Sequence, residues 1–478
     1  MKLANEGRYK EALELIKKDN PLPAICGRIC NKRCEDACTR GTIDEAIAID
    51  NVKRFIAEQD LNADTRFIPK KIVPSLEGKF DEKIAIIGAG PAGLSCAYYL
   101  ALMGYSPTIF EKNEQPGGML RYGVPAFKLE ADLIEAEIEV IKALGVTIKC
   151  GVEVGKDITL DELRAQGYKG FYAAIGCQAG RKPGIDGQDA EGAYTAVEFL
   201  REARANETFP LTGDVVVIGG GNVAIDAART AVRCTEGSVS MYCLEDRATM
   251  PASEEEIHDA TSENITINNS WGPKEILTEN GKVTGVVFKK CVSVFDADGR
   301  FSPTYDENEL ITVPCTQVIF SVGQGIDWGN MLDNENVERR PNGGALANKL
   351  TYQTTQPDIF VGGDVYTGPK FAIDAIAAGR EGAISLHRFV HDNCTLTIGR
   401  NRRDFIELDK NDLSFSEYDK DGRQQPVAYD VKEQAESFRD LSNTFTEEQV
   451  KAETSRCLGC GASVVDENKC IGCGICTT

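Results

Sequence analysis

The chain has 478 residues, of which 42% are hydrophobic and 27% charged, a composition typical of soluble globular proteins and long enough for two or three domains. Its formal net charge of −21 argues against nucleic acid or an anionic membrane as a partner, because both require a basic protein surface. Three histidines are too few for a histidine-rich metal site, whereas 17 cysteines are unusually many.

The first 80 residues are predicted to be helical, with spaced apolar positions over 8–18 and 44–59. The N-terminus is charged and amphipathic and lacks the apolar core of a signal peptide, so we expect a cytoplasmic protein whose thiols are reduced or bind metal. Between the two predicted helices lies the N-terminal cysteine run, defined as Cys26, Cys30, Cys34 and Cys38. Its four-residue spacing favours the thiolate ligands of a [4Fe–4S] cluster, with zinc or buried thiols along a helix as alternatives.

A predicted linker over 69–80 leads into an uncharged stretch, 84–110, which is long enough to span a membrane as a helix. Gly88, Gly90 and Pro91 interrupt this stretch early, where a membrane helix needs continuous backbone hydrogen bonds. A buried strand, turn and helix explain the same apolarity, and no association with a membrane is expected.

The first predicted nucleotide-binding unit is a strand, a glycine turn, a helix and a second strand, over 83–87, 88–93, 94–103 and 106–110. In such a unit Gly88 permits a tight turn, Gly90 admits a pyrophosphate, and Gly93 lets the helix approach the strand. The helix N-terminus offers free N–H groups to the phosphates. Glu111 follows the second strand, where a carboxylate accepts hydrogen bonds from ribose hydroxyls.

The same order of elements recurs over 214–218, 219–224, 225–232 and 238–243, which indicates an internal duplication. Gly219 and Gly221 take the first two roles, and Ala224 replaces the third glycine. After the second strand, Glu245 favours a free ribose 2′-hydroxyl, whereas Arg247 would attract a 2′-phosphate; a solvated turn is the alternative for both. Two such units imply two nucleotides, most simply a flavin and a nicotinamide.

Beyond this unit, strands are predicted over 317–322 and 358–362 and a helix over 371–391, and the chain then becomes polar. It ends in the C-terminal cysteine run, defined as Cys457, Cys460, Cys470, Cys473 and Cys476. The last three follow the spacing of a ferredoxin cluster, which requires one more cysteine beyond the final Thr478. We therefore expect a ferredoxin-like segment of a longer polypeptide, in which the first two cysteines supply the missing thiolate, or else a zinc ribbon.

Six motifs in fixed order carry a resemblance to a known family, over 88–93, 117–125, 174–176, 219–229, 363–369 and 375–380. Together they resemble the small (β) subunit of NADPH-dependent glutamate synthase. The same module resembles parts of dihydropyrimidine dehydrogenase and of the NADH-dependent ferredoxin:NADP oxidoreductases. The resemblance covers residues 5–395.

This resemblance implies an α/β fold with two Rossmann-like dinucleotide-binding domains, in which the NAD(P) domain is inserted into a discontinuous FAD domain. An N-terminal helical iron–sulfur domain precedes them, and a short ferredoxin-like segment follows. The predicted boundaries are 1–80 for the iron–sulfur domain, 81–205 and 326–395 for the FAD domain, 206–325 for the NAD(P) domain, 396–456 for a C-terminal extension and 457–478 for the ferredoxin-like segment.

The resemblance implies that the residues that bind FAD are Gly88, Gly90, Gly93, Glu111, Gly118, Met119 and Asp364. It also implies that the residues that bind the nicotinamide cofactor are Gly221, Asn222, Val223, Ala224 and Gly323. It also implies that Cys30, Cys34 and Cys38 ligate two clusters together with upstream cysteines that this chain does not contain. Family members often have a basic pair that binds the 2′-phosphate of NADP where this chain has Cys243 and Leu244, so the choice between NADH and NADPH stays open.

We therefore predict an FAD-dependent NAD(P)H oxidoreductase that passes single electrons through [4Fe–4S] clusters to a redox partner. The partner would resemble the glutamate synthase large subunit or be a ferredoxin. A ferredoxin:NAD(P) oxidoreductase and an electron-transfer or assembly subunit without turnover are alternatives. Hydride transfer from nicotinamide to flavin needs no protein acid or base, so no catalytic residue is predicted. A disulfide reductase is disfavoured because no CxxC pair lies between the two cysteine runs.

Overall fold

The structure is a computed structural model that describes residues 1–75, 77–207, 209–392, 394–400, 410, 417–427 and 429–460. Cys470, Cys473 and Cys476 of the C-terminal cysteine run lie outside the described residues. In the described part of the chain, no helix has the length and apolarity needed to cross a membrane.

The chain begins with a helical unit of short helices: α1 (Lys2–Asn5), α2 (Tyr9–Ile16), α3 (Pro23–Ile29), α4 (Arg33–Asp36), a 3₁₀ turn (Thr39–Thr42) and α5 (Ile49–Leu61). The helix predicted over 8–18 is confirmed as α2. The helix predicted over 44–59 begins later, at Ile49, because Asp44 turns back to pair with Arg40 and to accept the Glu45 N–H at 2.6 Å. In the N-terminal cysteine run, Cys26 therefore lies in α3 and Cys30 at its end, Cys34 lies in α4, and Cys38 directly precedes the 3₁₀ turn.

The first unit is built on a sheet of five parallel strands: β1 (Lys83–Ile87), β2 (Thr108–Glu111), β3 (Thr147–Cys150), β4 (Tyr168–Ala173) and β15 (Ile359–Val361). Their order in the sheet is β15–β4–β1–β2–β3. Its helices are α6 (Pro91–Leu102), α7 (Met119–Tyr122), α8 (Ala131–Ala143), α9 (Leu160–Ala165), α13 (Asp364–Thr367) and α14 (Ala372–Phe389). Helices α6 and α14 pack on one face of the sheet, where Ile84, Ile86, Tyr172 and Leu386 share a buried core. The strand, turn and helix predicted over 84–110 are confirmed.

The second unit is a five-stranded parallel sheet in the order β6–β13–β7–β8–β9. Its strands are β6 (Ala193–Thr195), β7 (Val215–Ile218), β8 (Val239–Cys243), β9 (Thr266–Asn269) and β13 (Gln317–Phe320), and its helices are α10 (Ala196–Ala205), α11 (Asn222–Cys234) and α12 (Glu254–Ser262). A separate sheet of three antiparallel strands packs against the parallel sheet. Its strands are β10 (Trp271–Glu279), β11 (Lys282–Phe295) and β12 (Phe301–Pro314). A small two-stranded connection joins β5 (Ala179–Gly180) to β14 (Gln324–Gly325).

The predicted insertion of one dinucleotide-binding unit into another is visible in the strand order. Strand β15 follows the whole second unit in sequence, yet it pairs with β4 in the first sheet. The predicted boundary between residues 205 and 206 does not match the sheets, since β6 pairs with β13 of the second sheet and α10 follows β6 directly. Strand β6 has only three residues, too few to show an alternating pattern in the sequence.

The C-terminal segment, residues 417–460, contains α15 (Val431–Glu436) and α16 (Glu447–Ser455) and returns to the helical unit. Phe445 and Val450 are buried against Phe55 and Leu13 of that unit. Arg456, with none of its side chain exposed, pairs with the equally buried Glu453 at 2.8 Å and with Asp44 at 3.1 Å. These contacts attach the C-terminal segment to the helices that surround the N-terminal cysteine run.

Candidate functional site

A cavity of about 970 Å³ lies between the two units and the helical unit. Its walls contain eleven of the predicted site residues: Cys30, Gly88, Gly90, Glu111, Gly118, Met119, Gly221, Asn222, Val223, Gly323 and Asp364. Gly93, Gly219 and Ala224 lie behind this wall, and the cavity size is in the range of cofactor sites. Both predicted nucleotide-binding turns therefore open into one space.

The turn between β1 and α6 has the shape that a dinucleotide needs. Gly88 has φ +102, and a Cβ there would lie 2.5 Å from the Ala174 carbonyl oxygen. A Cβ on Gly93 would lie 2.0 Å from the Gly88 oxygen, so the helix approaches the strand as predicted. At Gly90 the nearest atom to a Cβ would be the Gly118 Cα, 4.0 Å away, so this part of the turn is open to the cavity. Helix α6 starts after Gly90 without a side-chain cap, which leaves its first N–H groups available to a phosphate.

Glu111 lies directly behind this turn and is 3% exposed. One carboxylate oxygen accepts the Ala89 N–H at 2.7 Å, and the other accepts the Asn113 N–H at 2.9 Å. The carboxylate thus fixes the turn and still has lone pairs for a ribose hydroxyl. Its predicted contact with the FAD ribose stays a prediction.

Two further glycine-led turns complete this side of the cavity. Gly118, with φ +54, precedes α7 and packs so closely on Gly90 that a Cβ on Gly118 would lie 2.8 Å from the Gly90 Cα. Gly363, with φ +69, precedes α13 and places Asp364 at the first position of that helix. Burial raises the pKa of the Asp364 carboxyl to about 6, and one of its oxygens accepts the Lys370 N–H at 3.2 Å. With this pKa the carboxyl is mostly ionised at neutral pH, and its oxygens can accept hydrogen bonds from cofactor hydroxyls.

The turn between β7 and α11 repeats the first one. Gly219 has φ +146, and a Cβ there would meet the Ser321 oxygen at 2.5 Å, whereas a Cβ on Gly221 would meet no atom within 4 Å. Helix α11 also starts without a side-chain cap. The Asn222 side chain accepts the Ser253 N–H at 3.0 Å, and Val223 is 37% exposed at the cavity. The open face of this turn is suited to a second pyrophosphate.

Glu245 and Arg247 are placed differently at the end of β8. A Cβ on Gly220 would lie 2.8 Å from a carboxylate oxygen of Glu245, so this carboxylate lies against the turn. Arg247 is half exposed and forms two hydrogen bonds with Glu254, at 2.9 and 2.5 Å. Neither side chain is among the described residues that line the cavity, and the predicted contact of Glu245 or Arg247 with a ribose stays a prediction.

The structure gives the cysteines of the N-terminal run different degrees of exposure. Cys26, on α3, is 1% exposed in the buried core that includes Ala57 of α5, with its thiol directed to the Asn20 side chain at 3.8 Å. Cys30 ends α3 on the cavity wall, and Cys34 is exposed on α4. Among the described residues, no group of three or more Cys, His, Asp or Glu side chains is arranged to hold a metal ion. The described residues therefore do not form a closed ligand set for a cluster, and the predicted ligands stay predictions.

The fourteen described cysteines are all free thiols. Cys177, a buried cysteine close to Asp364, directs its thiol to the Asp364 backbone oxygen at 3.7 Å, and burial raises the pKa of this thiol to about 12. A buried protonated thiol is a poor nucleophile. Among the described residues that line the cavity, Cys30 is the only cysteine, so no cysteine pair faces it there.

Sequence reasoning missed a group of charged residues on the cavity wall. Lys128, in the loop before α8, pairs with Asp226 of α11 and Glu256 of α12, each at 2.5 Å. Lys32 of the helical unit pairs with Glu255 of α12 at 2.6 Å. The only sequence signal for this group is the run of three glutamates, 254–256.

Residues 82–379 match the family described as pyridine nucleotide-disulphide oxidoreductase, and residues 1–65 match the family described as dihydropyrimidine dehydrogenase domain II, 4Fe-4S cluster. The NADP(+)-dependent formate dehydrogenase subunit beta of Moorella thermoacetica is 34% identical over 95% of this chain and 67% of its own length. The glutamate synthase [NADPH] small chain of Escherichia coli K12 is 34% identical over 80% of this chain and 84% of its own.

Two solved structures share the fold of the two dinucleotide-binding units. FprA of Mycobacterium tuberculosis in complex with NADPH superposes with a TM-score of 0.55 at 18% identity, covering 64% of this chain and 84% of FprA. Thioredoxin reductase of T. acidophilum has a TM-score of 0.50 at 20% identity, covering 64% and 98%. The predicted fold class, the predicted resemblance, and the prediction of FAD, NAD(P)H and 4Fe-4S as cofactors of an oxidoreductase are confirmed.

Proposed function

The chain belongs to the pyridine nucleotide-disulphide oxidoreductase family, and we propose that it oxidises NADH at the second unit and delivers the electrons to a redox partner protein. One observation carries this proposal: two glycine turns from separate sheets open into a single cavity, and the segment that ends at Cys30 forms part of its wall. Donor site, flavin site and iron–sulfur domain thus surround one space.

The residues of the chain bind and orient the two nucleotides. The uncapped N-termini of α6 and α11 supply N–H groups and a partial positive charge to one pyrophosphate each. Gly90 and Gly221 leave room for these pyrophosphates, and Asp364, on the same side of the cavity as the first turn, would hydrogen bond to the flavin cofactor. A bound FAD would supply the chemistry that converts a hydride transfer from nicotinamide into single-electron transfers.

Glu245 supports NADH as the donor. Its carboxylate lies against the nicotinamide turn, where it accepts hydrogen bonds from a free 2′-hydroxyl and repels a 2′-phosphate. Arg247, the cation nearest to Glu245 in sequence, forms an exposed ion pair with Glu254. The curated relatives compared above carry NADP(+) or NADPH in their names, so this preference would distinguish the chain from them.

The electron acceptor is proposed to be a separate protein, such as a large catalytic subunit or a ferredoxin. The relatives named above are a beta subunit and a small chain, each named as a part of a larger enzyme.

Steady-state kinetics with a one-electron dye under anaerobic conditions tests the proposal. Wild-type protein is expected to have a higher kcat/KM with NADH than with NADPH. Glu245→Gln should lower kcat/KM for NADH by about 10- to 150-fold, because a hydrogen bond to a charged group contributes about 1.5–3 kcal/mol. Asp246→Asn, at an exposed neighbouring position, is the matched control. A preference for NADPH would contradict the donor assignment, and no dye reduction with either nucleotide would contradict the proposed function.

A further inference from the structure

Helix α12 begins with three consecutive glutamates, and each pairs with a cation from a different part of the chain. Glu254 pairs with Arg247 inside the second unit. Glu255 pairs with Lys32 of the helical unit at 2.6 Å. Glu256 pairs with Lys128 of the first unit at 2.5 Å. The first turn of this helix therefore joins three separate regions.

Lys128 has the most enclosed of these pairings. Its side chain is 15% exposed and lies between Glu256 of α12 and Asp226 of α11. Burial alone would lower the pKa of Lys128, but the two carboxylates raise it above its ordinary value, so the ammonium group stays charged. Enclosed ion pairs contribute little net stability, yet they favour one geometry strongly, since removal of one partner leaves an uncompensated charge.

The neighbouring side chain strengthens the same junction. Phe127 lies under the guanidinium groups of Arg229 and Arg233, with 5.0 and 3.9 Å from the guanidinium carbon to the ring centre. Both arginines belong to α11. The loop of the first unit that carries Phe127 and Lys128 therefore contacts α11 through an aromatic face and an ammonium group at successive positions.

The structure also connects α12 to the nicotinamide turn. The Ala252 N–H donates to the Gly220 oxygen at 3.0 Å, and the Ser253 N–H donates to the Asn222 side chain at 3.0 Å. Ser253 is the residue that caps α12. A displacement of the first turn of α12 therefore moves the backbone that receives the dinucleotide. Asp226 lies on α11, one helical turn beyond Asn222.

We propose that Lys128 is a positioning residue for hydride transfer: by holding Asp226 and Glu256, it fixes the nicotinamide turn of the second unit relative to the flavin site of the first. This inference rests on the proposed function. In the transfer, a hydride leaves the reduced nicotinamide and is taken up by oxidised FAD, and Lys128 exchanges no proton or electron. Its contribution is orientation, which is lost steeply with small displacements of the reacting groups.

The test uses full-length protein with bound FAD and rapid mixing with NADH under anaerobic conditions. Lys128→Met is expected to lower the limiting rate of flavin bleaching by about 10- to 100-fold, the loss that a displacement of about 1 Å produces. FAD content and the dissociation constant of NADH should stay as in wild type. The long-wavelength charge-transfer absorbance between nicotinamide and flavin should weaken, and Lys128→Arg should restore most of the rate. Lys142→Met is the control, since Lys142 pairs only within α8, with Glu135 and Glu139.

Because Lys128→Met removes the cation between Asp226 and Glu256 and leaves Glu256 with a 4.0 Å contact to Arg229, a triple variant with Lys128→Met, Asp226→Asn and Glu256→Gln keeps the shape without these charges. Slow bleaching in the triple variant with normal FAD content supports the proposal. Wild-type rates in both variants would overturn it, and so would loss of FAD from both, which would make Lys128 a folding residue. If wild-type flavin is not bleached by NADH, the proposed function fails instead, and the two failures are distinguishable.

Discussion

Replacing Gly221 by alanine separates the binding role of a glycine turn from its structural role. Gly221 has φ −93 and ψ 175, an extended conformation that alanine adopts without strain. A Cβ at this position would meet no atom within 4 Å, so the added methyl group points into open space at the start of α11. Folding should therefore be unaffected or slightly stabilised, by up to about 1 kcal/mol, because alanine restricts the unfolded chain.

The same methyl group would stand where a pyrophosphate approaches the α11 N-terminus. Loss of one backbone hydrogen bond to a phosphate costs about 1.5–3 kcal/mol, which corresponds to a dissociation constant for NADH about 10- to 150-fold higher. Gly219→Ala is the matched control, since its Cβ would lie 2.5 Å from the Ser321 oxygen at φ +146 and should destabilise the second unit.

The assay combines two measurements on each variant. Thermal unfolding followed by circular dichroism reports stability, and the NADH dependence of flavin bleaching reports the dissociation constant. Gly221→Ala should unfold like wild type but bind NADH more weakly. Unchanged NADH affinity, or a loss of thermal stability equal to that of Gly219→Ala, would refute the reasoning.

Two other predictions concern the carboxyl in the flavin site and the cysteines. Burial raises the pKa of Asp364 to about 6, so the folded apoprotein loses free energy of unfolding as the pH rises from the ordinary carboxyl pKa through 6. Above pH 6, Asp364→Asn should therefore be more stable than wild type by about 3 kcal/mol, and this difference should shrink at lower pH. Urea titrations of FAD-free protein at several pH values measure the difference. A difference that does not depend on pH would disprove the assignment. Cys34→Ala should lower the iron and acid-labile sulfide content, because Cys34 is exposed, whereas Cys26→Ala should not, because Cys26 is enclosed in an apolar core. Equal iron loss in both variants would make Cys26 a ligand.

The nucleotide-binding turns were predictable because each depends on a few residue types at fixed spacing. Gly88 and Gly219 have backbone conformations that other residues rarely adopt, and Gly93 has no room for a Cβ. The spacing of these glycines is therefore enough to identify the turns from the sequence. The strands that precede them are continuous apolar segments, as expected where both faces of a parallel sheet are covered.

The pairing of Lys128 with Glu256 was not predictable in this way. The two residues are 128 positions apart, and no local periodicity connects them. The same holds for the C-terminal segment, whose polar sequence does not reveal that Phe445 and Val450 complete the core of the helical unit. Strand β6 escaped detection because its three residues belong to the second sheet only through pairing with β13.

Anaerobic titration of the purified chain with NADH, followed by absorbance and by electron paramagnetic resonance, tests the central claim most directly. We predict that NADH bleaches the flavin absorbance and that the signal of a reduced iron–sulfur cluster then appears, with NADPH much less effective. Reduction of the cluster without any flavin change, or no response of the flavin to either nucleotide, would contradict a route that starts at the nicotinamide turn and passes through the shared cavity.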